Sequence, residues 1–170
     1  HFRAPAAPPA PTPAEAAAAR KHPGLASALA LIALGLRDEG NREWNYSLRG
    51  MGDRELLAAS QLACEREVWD RCINTSERTR DVVDLQQRYP MPYRQPLEGR
   101  SQAQGLDPAL TYGVVRQESR FVIRTRSSVG AGGLMQLMPR TARWTANKIG
   151  ITDYAPERLY EPEVNAALGT

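Results

Sequence analysis

Pro90 and Pro92 stand two residues apart inside the segment Tyr89 to Tyr93. No regular helix passes through such a pair, because proline lacks a backbone donor and pushes the residue before it out of the helical region. The chain is thereby cut into two units. Before the cut, apolar residues recur at helical spacing: Leu25, Leu29, Leu31 and Leu36 on one segment, then Leu56, Leu57, Leu62 and Val68 on the next. Gly40, Gly50 and Gly52 punctuate them, and Asp53 is a candidate N-cap. Helices this short and this often interrupted pack as antiparallel pairs, so residues 23–88 are predicted to form a helical-hairpin superhelix segment.

From residue 89 to 170 the pattern is again helical. Gly105 closes one helix, and Asp107 followed by Pro108 is an N-cap with proline in the first helical position. Pro139 opens a helix that runs through Lys148 and ends at Gly150, and Glu161 with Pro162 opens a last one. No segment shows sustained strand alternation, which makes the fold class all-α. Residues 1–22 are dominated by Ala and Pro, a composition that predicts a disordered tail outside the fold. His1 stands where an initiator Met would be, as expected of numbering that begins downstream of a removed leader. The longest apolar run, Leu25 to Leu36, is interrupted by Ser27 and Gly35 and falls short of the roughly 18 residues a membrane span needs, so it reads as a core helix.

Charge and cysteine content narrow the function classes. The net charge is +3, with Lys21 and Lys148 the only lysines. Such mild positive charge suits an anionic polymer, but it is unclustered and no nucleic-acid motif accompanies it. Cys64 and Cys72 lie eight apart, about 12 Å along one continuous helix, which is beyond disulfide reach. A turn between them would permit a bridge; both outcomes stay open. His1, His22 and the two cysteines are too few and too scattered for a zinc site, so neither metal nor cofactor is expected.

The candidate chemistry centres on Glu118. On the helix from Asp107, residues Leu110, Val114 and Glu118 are spaced four apart and share one face. A carboxyl that continues an apolar stripe is desolvated, and in the last turn it meets the negative end of the helix dipole. Both effects penalise the ionised form, and the expectation is a raised pKa, suited to a general acid near neutral pH. The bland alternative is a solvated helix end. Against it stands the run from Ser119 through Thr152, which holds no Asp or Glu while Arg120, Arg124, Arg126, Arg140, Arg143 and Lys148 supply positive charge. The segment Ser127 to Gln136 is a small-residue loop whose glycines let backbone amides approach a ligand, and whose serines and Gln136 offer hydrogen bonds to hydroxyls and amides. As a phosphate loop it fails, because no lysine follows the glycines. For Leu134 and Met135 the residues alone favour a core.

Taken together, Arg116-Gln117-Glu118-Ser119 and then Ser127, Val129, Gly130, Ala131, Gly133, Leu134, Met135, Gln136, Met138, Pro139 and Thr141 resemble the soluble lytic transglycosylases. The Glu-Ser pair with a Gly-Leu-Met-Gln segment some fifteen residues later is the specific part of the match. The resemblance implies a lysozyme-like α domain, preceded by a superhelical one, in a periplasmic enzyme. Its expected reaction is cleavage of peptidoglycan strands between N-acetylmuramic acid and N-acetylglucosamine, leaving a 1,6-anhydromuramyl end. It implies Glu118 as the catalytic residue, acid and then base, and Ser119, Ser127, Gly133, Leu134, Met135 and Gln136 as the substrate-binding set. The implied partners are glycan strands, with peripheral attachment to cell wall or outer membrane, no nucleic acid, and a monomeric state. Trp144 and Tyr154 are candidates for stacking on sugars, with Trp144 assigned to the core. Asn165, Gly169 and Thr170 match the start of a third family signature, whose continuation and active-site tyrosine do not follow within the 170 residues; the expectation is a partial catalytic domain. A hydrolase of the same lysozyme-like type and a non-catalytic glycan-binding module are the competing readings.

Overall fold

A computed structural model describes residues 4–170. Its described residues are helical with only isolated β-bridges, and they divide into two compact units, with the boundary between Pro90 and Met91. Among them no helix is long and apolar enough to cross a membrane.

In the first unit, α1 spans Pro13–Lys21, α2 Pro23–Ala33, α3 Arg37–Ser47, α4 Asp53–Glu65, α5 Trp69–Ser76 and the short α6 Leu85–Arg88. Consecutive helices pair as hairpins, α2 with α3 and α4 with α5, while α1 lies on α4. Their shared core is built from Leu25, Ala28, Trp44, Leu56, Ala59 and Leu62. Trp44 is fully buried, and its indole N–H donates to Thr75 Oγ1 at 2.9 Å, so the largest core side chain carries no unpaired polar atom.

Three local expectations are corrected here. Gly40 lies inside α3 and does not interrupt it. A Cβ there would stand 2.6 Å from Ile32 Cγ1 and 2.8 Å from the Ala28 carbonyl, so the glycine is what allows α2 and α3 to approach. Asp53 is the first residue of α4, not its cap; its carboxylate accepts from the backbone N–H groups of Arg80 (3.0 Å) and Asp81 (2.8 Å) and so ties a loop to the helix start. Those hydrogen bonds hold its carboxyl below the usual range. The Ala/Pro-rich tail is not disordered throughout. Pro13–Lys21 is a helix closed by a capping box, in which Glu15 N–H donates to Thr12 Oγ1 and Thr12 N–H donates to Glu15. Alanine favours helix, and Pro13 at the first position costs nothing there. The helix is then held on α4 by Arg54 to Glu15 at 2.6 Å, Arg20 to Glu65 at 3.0 Å and burial of Ala19. His1, Phe2 and Arg3 of the expected tail lie outside the described residues.

Cys64 and Cys72 are joined in a disulfide, with their Cα atoms 5.0 Å apart. The turn that allows it is made by Arg66 to Val68, where Glu67 takes a left-handed φ of 56° and its N–H donates to the Cys64 carbonyl. The bridge closes the α4/α5 hairpin, and a loop of this length restricts the unfolded chain by roughly 2–3 kcal/mol. Ser60 Oγ donates to the Cys72 carbonyl at 2.8 Å across the same hairpin.

Two predictions follow from this unit. Reduction of the disulfide is expected to lower the denaturant midpoint by an amount equivalent to roughly 2–3 kcal/mol, measured with and without reductant; an unchanged midpoint contradicts it. Glu15 is held at about 2, below its ordinary 4.5, first by the Arg54 guanidinium and then by the Thr12 amide. A depressed folded-state pKa gives stability that is complete above the unfolded value and lost as pH falls through the folded one. Amide exchange in α1 is therefore expected to accelerate between about pH 4.5 and about pH 2, measured against α4, with no change above pH 5.

Candidate active site

The second unit is made of α7 (Arg94–Ala103), α8 (Pro108–Glu118), α9 (Pro139–Lys148), a 3-10 turn (Pro156–Tyr160) and α10 (Pro162–Gly169). The start of α8 is as the sequence predicts: the Asp107 carboxylate accepts from Ala109 N–H at 2.9 Å and Pro108 occupies the first turn.

The face that α8 buries is not the predicted one. Thr111, Tyr112, Val115 and Ser119 point inward, whereas Leu110 is 64% and Val114 43% exposed, and Glu118 is exposed with them. The helix sits about one residue, or 100°, from the expected rotation. Its anchors explain why. Ser101 of α7 donates to Thr111 Oγ1 at 2.7 Å, the Tyr112 ring meets Phe121 at 6.1 Å, and the Tyr112 hydroxyl donates to the Pro92 carbonyl at 3.0 Å. Burial pushes that hydroxyl up to about 12, which keeps it a donor. The desolvation expected for Glu118 is therefore absent. Instead its carboxylate ends an exposed apolar strip, and among the described residues no hydrogen bond or ion pair holds it.

Immediately after Glu118 the chain turns sharply. Ser119 is buried; its hydroxyl donates to the Val115 carbonyl at 3.1 Å and accepts from Phe121 N–H at 3.2 Å. Arg120 and Phe121 both take left-handed backbone angles, φ 48° and 65°. Two adjacent non-glycine residues in that region cost of order 1–3 kcal/mol each, and here burial of the Phe121 ring sustains them. The Ser119 hydroxyl, expected to meet substrate, holds the end of α8 through these two hydrogen bonds.

The loop from Thr125 to Met138 carries the rest of the predicted site. Ser127 Oγ accepts from Ala131 N–H at 3.0 Å and its own N–H donates to the Ala131 carbonyl, which closes the small-residue turn. Gly133 has φ 77°, and a Cβ there would lie 2.6 Å from the Leu159 carbonyl. Glycine is required at this point. Leu134 is a core residue, 1% exposed, and Met135 is nearly as buried, with its side chain against Gly169. Both side chains, expected among the substrate contacts, pack into the apolar interior of the loop. Gln136, half-buried with φ 47°, donates from Nε2 to the Gly133 carbonyl at 2.9 Å and the Thr125 carbonyl at 3.3 Å.

Sequence reasoning noticed Asn165 only as part of a motif. In the structure it is 1% exposed and clamps the loop: Oδ1 accepts from Met135 N–H at 2.8 Å, and Nδ2 donates to Leu159 O at 2.8 Å and Gly132 O at 3.4 Å. A buried amide on an otherwise apolar helix, Val164 to Leu168, is the signal that would have found it. Trp144, expected in the core, is 62% exposed, with the Lys148 ammonium 4.9 Å above its ring. Alternate turns of α9 explain this, since Ala142 and Ala146 form the buried face.

With this geometry in view, residues 95–170 match the Transglycosylase SLT domain and residues 18–81 the Soluble lytic murein transglycosylase L domain. The chain belongs to the soluble lytic transglycosylase family. This lytic transglycosylase segment is 28% identical over 149 residues to the soluble lytic murein transglycosylase of Salmonella typhimurium, covering 87% of the chain and 23% of that relative. It superposes on an inactive glutamate-to-glutamine variant of the lytic transglycosylase Slt from Pseudomonas aeruginosa with a TM-score of 0.80 and 32% identity, covering 93% of the chain and 26% of Slt. It superposes equally, at 0.80 with 25% identity, on the 70-kDa soluble lytic transglycosylase complexed with bulgecin A, covering 99% of the chain and 27% of that structure. The chain therefore spans about a quarter of the length of the relatives it matches.

Replacing Asn165 with Ala leaves the Met135 N–H and the Leu159 carbonyl buried without partners. The expected loss is about 2–4 kcal/mol in chemical denaturation, with the loop amides losing exchange protection first. A loss under about 0.5 kcal/mol would show that the clamp does not hold the loop.

Proposed function

We propose that this chain supplies the bond-cleaving carboxyl of a peptidoglycan lytic transglycosylase, and that Glu118 is that carboxyl. One observation carries the reading: Glu118 stands exposed and unpaired among the described residues at the end of α8, beside the open apolar strip of Leu110 and Val114. A sugar ring presents an apolar face and polar edges. Such a strip suits the first, and a free carboxyl at its end suits a glycosidic oxygen.

The relative from Pseudomonas aeruginosa is an inactive glutamate-to-glutamine variant, which supports a glutamate as the essential group. Within the matched region the glutamates are Glu98, Glu118, Glu157, Glu161 and Glu163. Glu98 pairs with Arg94 and Glu161 with Arg158. Glu118 alone of the five follows the helix into the strained turn at Arg120 and Phe121.

In this reading Glu118, protonated, donates to the oxygen between N-acetylmuramic acid and N-acetylglucosamine as that bond breaks. The sugar's own N-acetyl group stabilises the cationic centre, because no second carboxylate lies between Ser119 and Thr152 to do so. Glu118, now a carboxylate, takes the proton of the muramic 6-hydroxyl, whose oxygen closes on the anomeric carbon to give the 1,6-anhydro end. No water enters the balance. Ser127 and Gln136 sit on the loop that would border the reacting sugar, while Ser119, Gly133, Leu134 and Met135 act by holding its shape. The substrate locates the work in the bacterial periplasm, with the protein acting as a monomer on glycan strands.

Glu118→Gln preserves size and removes the transferable proton. In the protein that carries this sequence, the substitution is expected to lower release of anhydro-ended muropeptides at least about 100-fold while leaving the unfolding free energy within about 0.5 kcal/mol. Unchanged release, measured by mass spectrometry of the digest, would remove the catalytic role and favour a glycan-binding module.

A further inference from the structure

Glu118 has no hydrogen bond of its own among the described residues, so the direction of its carboxyl comes from the backbone beneath it. That backbone leaves α8 through the left-handed pair Arg120 and Phe121, a conformation that persists only where its surroundings impose it. Phe121 is held at three points. Its N–H donates to Ser119 Oγ at 3.2 Å, its buried ring meets the Tyr112 ring at 6.1 Å, and its carbonyl accepts from the Tyr93 hydroxyl at 3.4 Å. Tyr93 lies 28 residues before Phe121, beside the proline pair and outside the motif that contains Glu118.

The two tyrosines are joined through those prolines. Residues 90–92 are not helical, and Pro96, four residues after Pro92, has no N–H to offer the Pro92 carbonyl. The Tyr112 hydroxyl supplies the missing donor, at 3.0 Å to the Pro92 carbonyl and 3.4 Å to that of Met91, and burial keeps it protonated. Tyr93 follows directly, left-handed at φ 54°, and its carbonyl accepts from Leu97 N–H at the start of α7. The contacts form a closed circuit: Tyr112 hydroxyl to Pro92, along the chain to Tyr93, Tyr93 hydroxyl to Phe121, and the Phe121 ring back to Tyr112. Removing either hydroxyl opens it, and Ser119 alone is then left to pin the backbone of the turn.

We propose that Tyr93 and Tyr112 are positioning residues for Glu118, which through Phe121 fix the exit from α8 and so the direction in which the carboxyl meets a glycosidic oxygen. The inference rests on the glycan-cleaving reading above. Neither tyrosine touches substrate in this role; each acts through the backbone of residues 119–121. A reacting group misplaced by about 1 Å costs on the order of 100-fold in rate, and a partial loosening costs less.

The test measures kcat and KM on purified glycan strands for Tyr93→Phe, Tyr112→Phe and the double variant, made in the protein that carries this sequence, with Glu118→Gln alongside. Each tyrosine substitution removes one hydroxyl and keeps the ring, and circular dichroism gives the folded fraction at the assay temperature. Each single variant is expected to lower kcat about tenfold with KM within about twofold, and to accelerate exchange of the Phe121 amide. The double variant is expected to fall no more than about threefold below the slower single one, because both hydroxyls close one circuit. An unchanged kcat in Tyr93→Phe, a fall matched by an equal loss of folded protein, or a double variant whose loss is the product of the two single losses overturns the proposal. Where Glu118→Gln is inactive, those results sink the positioning role alone. A Glu118→Gln protein that cuts at the full rate removes the glycan-cleaving reading and the positioning role with it.

Discussion

The side-chain amide of Asn165 is the interaction on which the second unit's candidate site depends. From one fully buried position on α10 it satisfies the Met135 N–H, the Leu159 carbonyl and the Gly132 carbonyl, which belong to two separate stretches of irregular backbone. Irregular backbone is otherwise hard to bury, because each unpaired polar group costs about 1–3 kcal/mol. The amide removes that cost at the places where the loop must turn inward. Gly133 follows from it, since any Cβ there would invade the space of Asn165 and Leu159. So does the left-handed Gln136, whose own amide folds back on the Gly133 carbonyl. Ser127 is then fixed at the mouth of the same loop.

A second constraint sets the direction of Glu118. The rotation of α8 is decided by Thr111 against Ser101 and by Tyr112 against Phe121, two contacts made by residues next to the expected stripe. Both stripes on this helix are apolar enough to be core: Leu110 and Val114 on one side, Tyr112 and Val115 on the other. Spacing alone cannot choose between them. What decides is a pair of tertiary contacts, one across ten residues and one across nine, and their consequence is that the apolar strip ending at Glu118 is left exposed.

This marks where the sequence was legible. Helix starts at Asp107-Pro108, Pro139 and Pro162 could be read directly, because capping and proline geometry are local. The all-α class and the division near Pro90 followed from the same punctuation. The Thr12–Glu15 capping box was equally local, yet alanine and proline composition obscured it, and the docking that holds α1 depends on Arg54, 39 residues away. The disulfide needed the turn at Glu67. Within the site, the motif pointed to Ser119, Leu134 and Met135, and the structure adds that their side chains build the turn and the loop core. Trp144 failed in the opposite direction, since small Ala142 and Ala146 took the buried face that a large aromatic was expected to fill.

A lone carboxyl that acts as acid and then base makes one demand that neither a hydrolase nor a binding module shares, namely that the oxygen closing the ring comes from the substrate. Digestion of peptidoglycan in water enriched in oxygen-18, followed by mass spectrometry of the new muramic ends, measures this directly. The expected ends are lighter than their hydrolytic counterparts by one water and free of the heavy isotope. Muramic ends that carry one oxygen-18 atom at the anomeric position would contradict it.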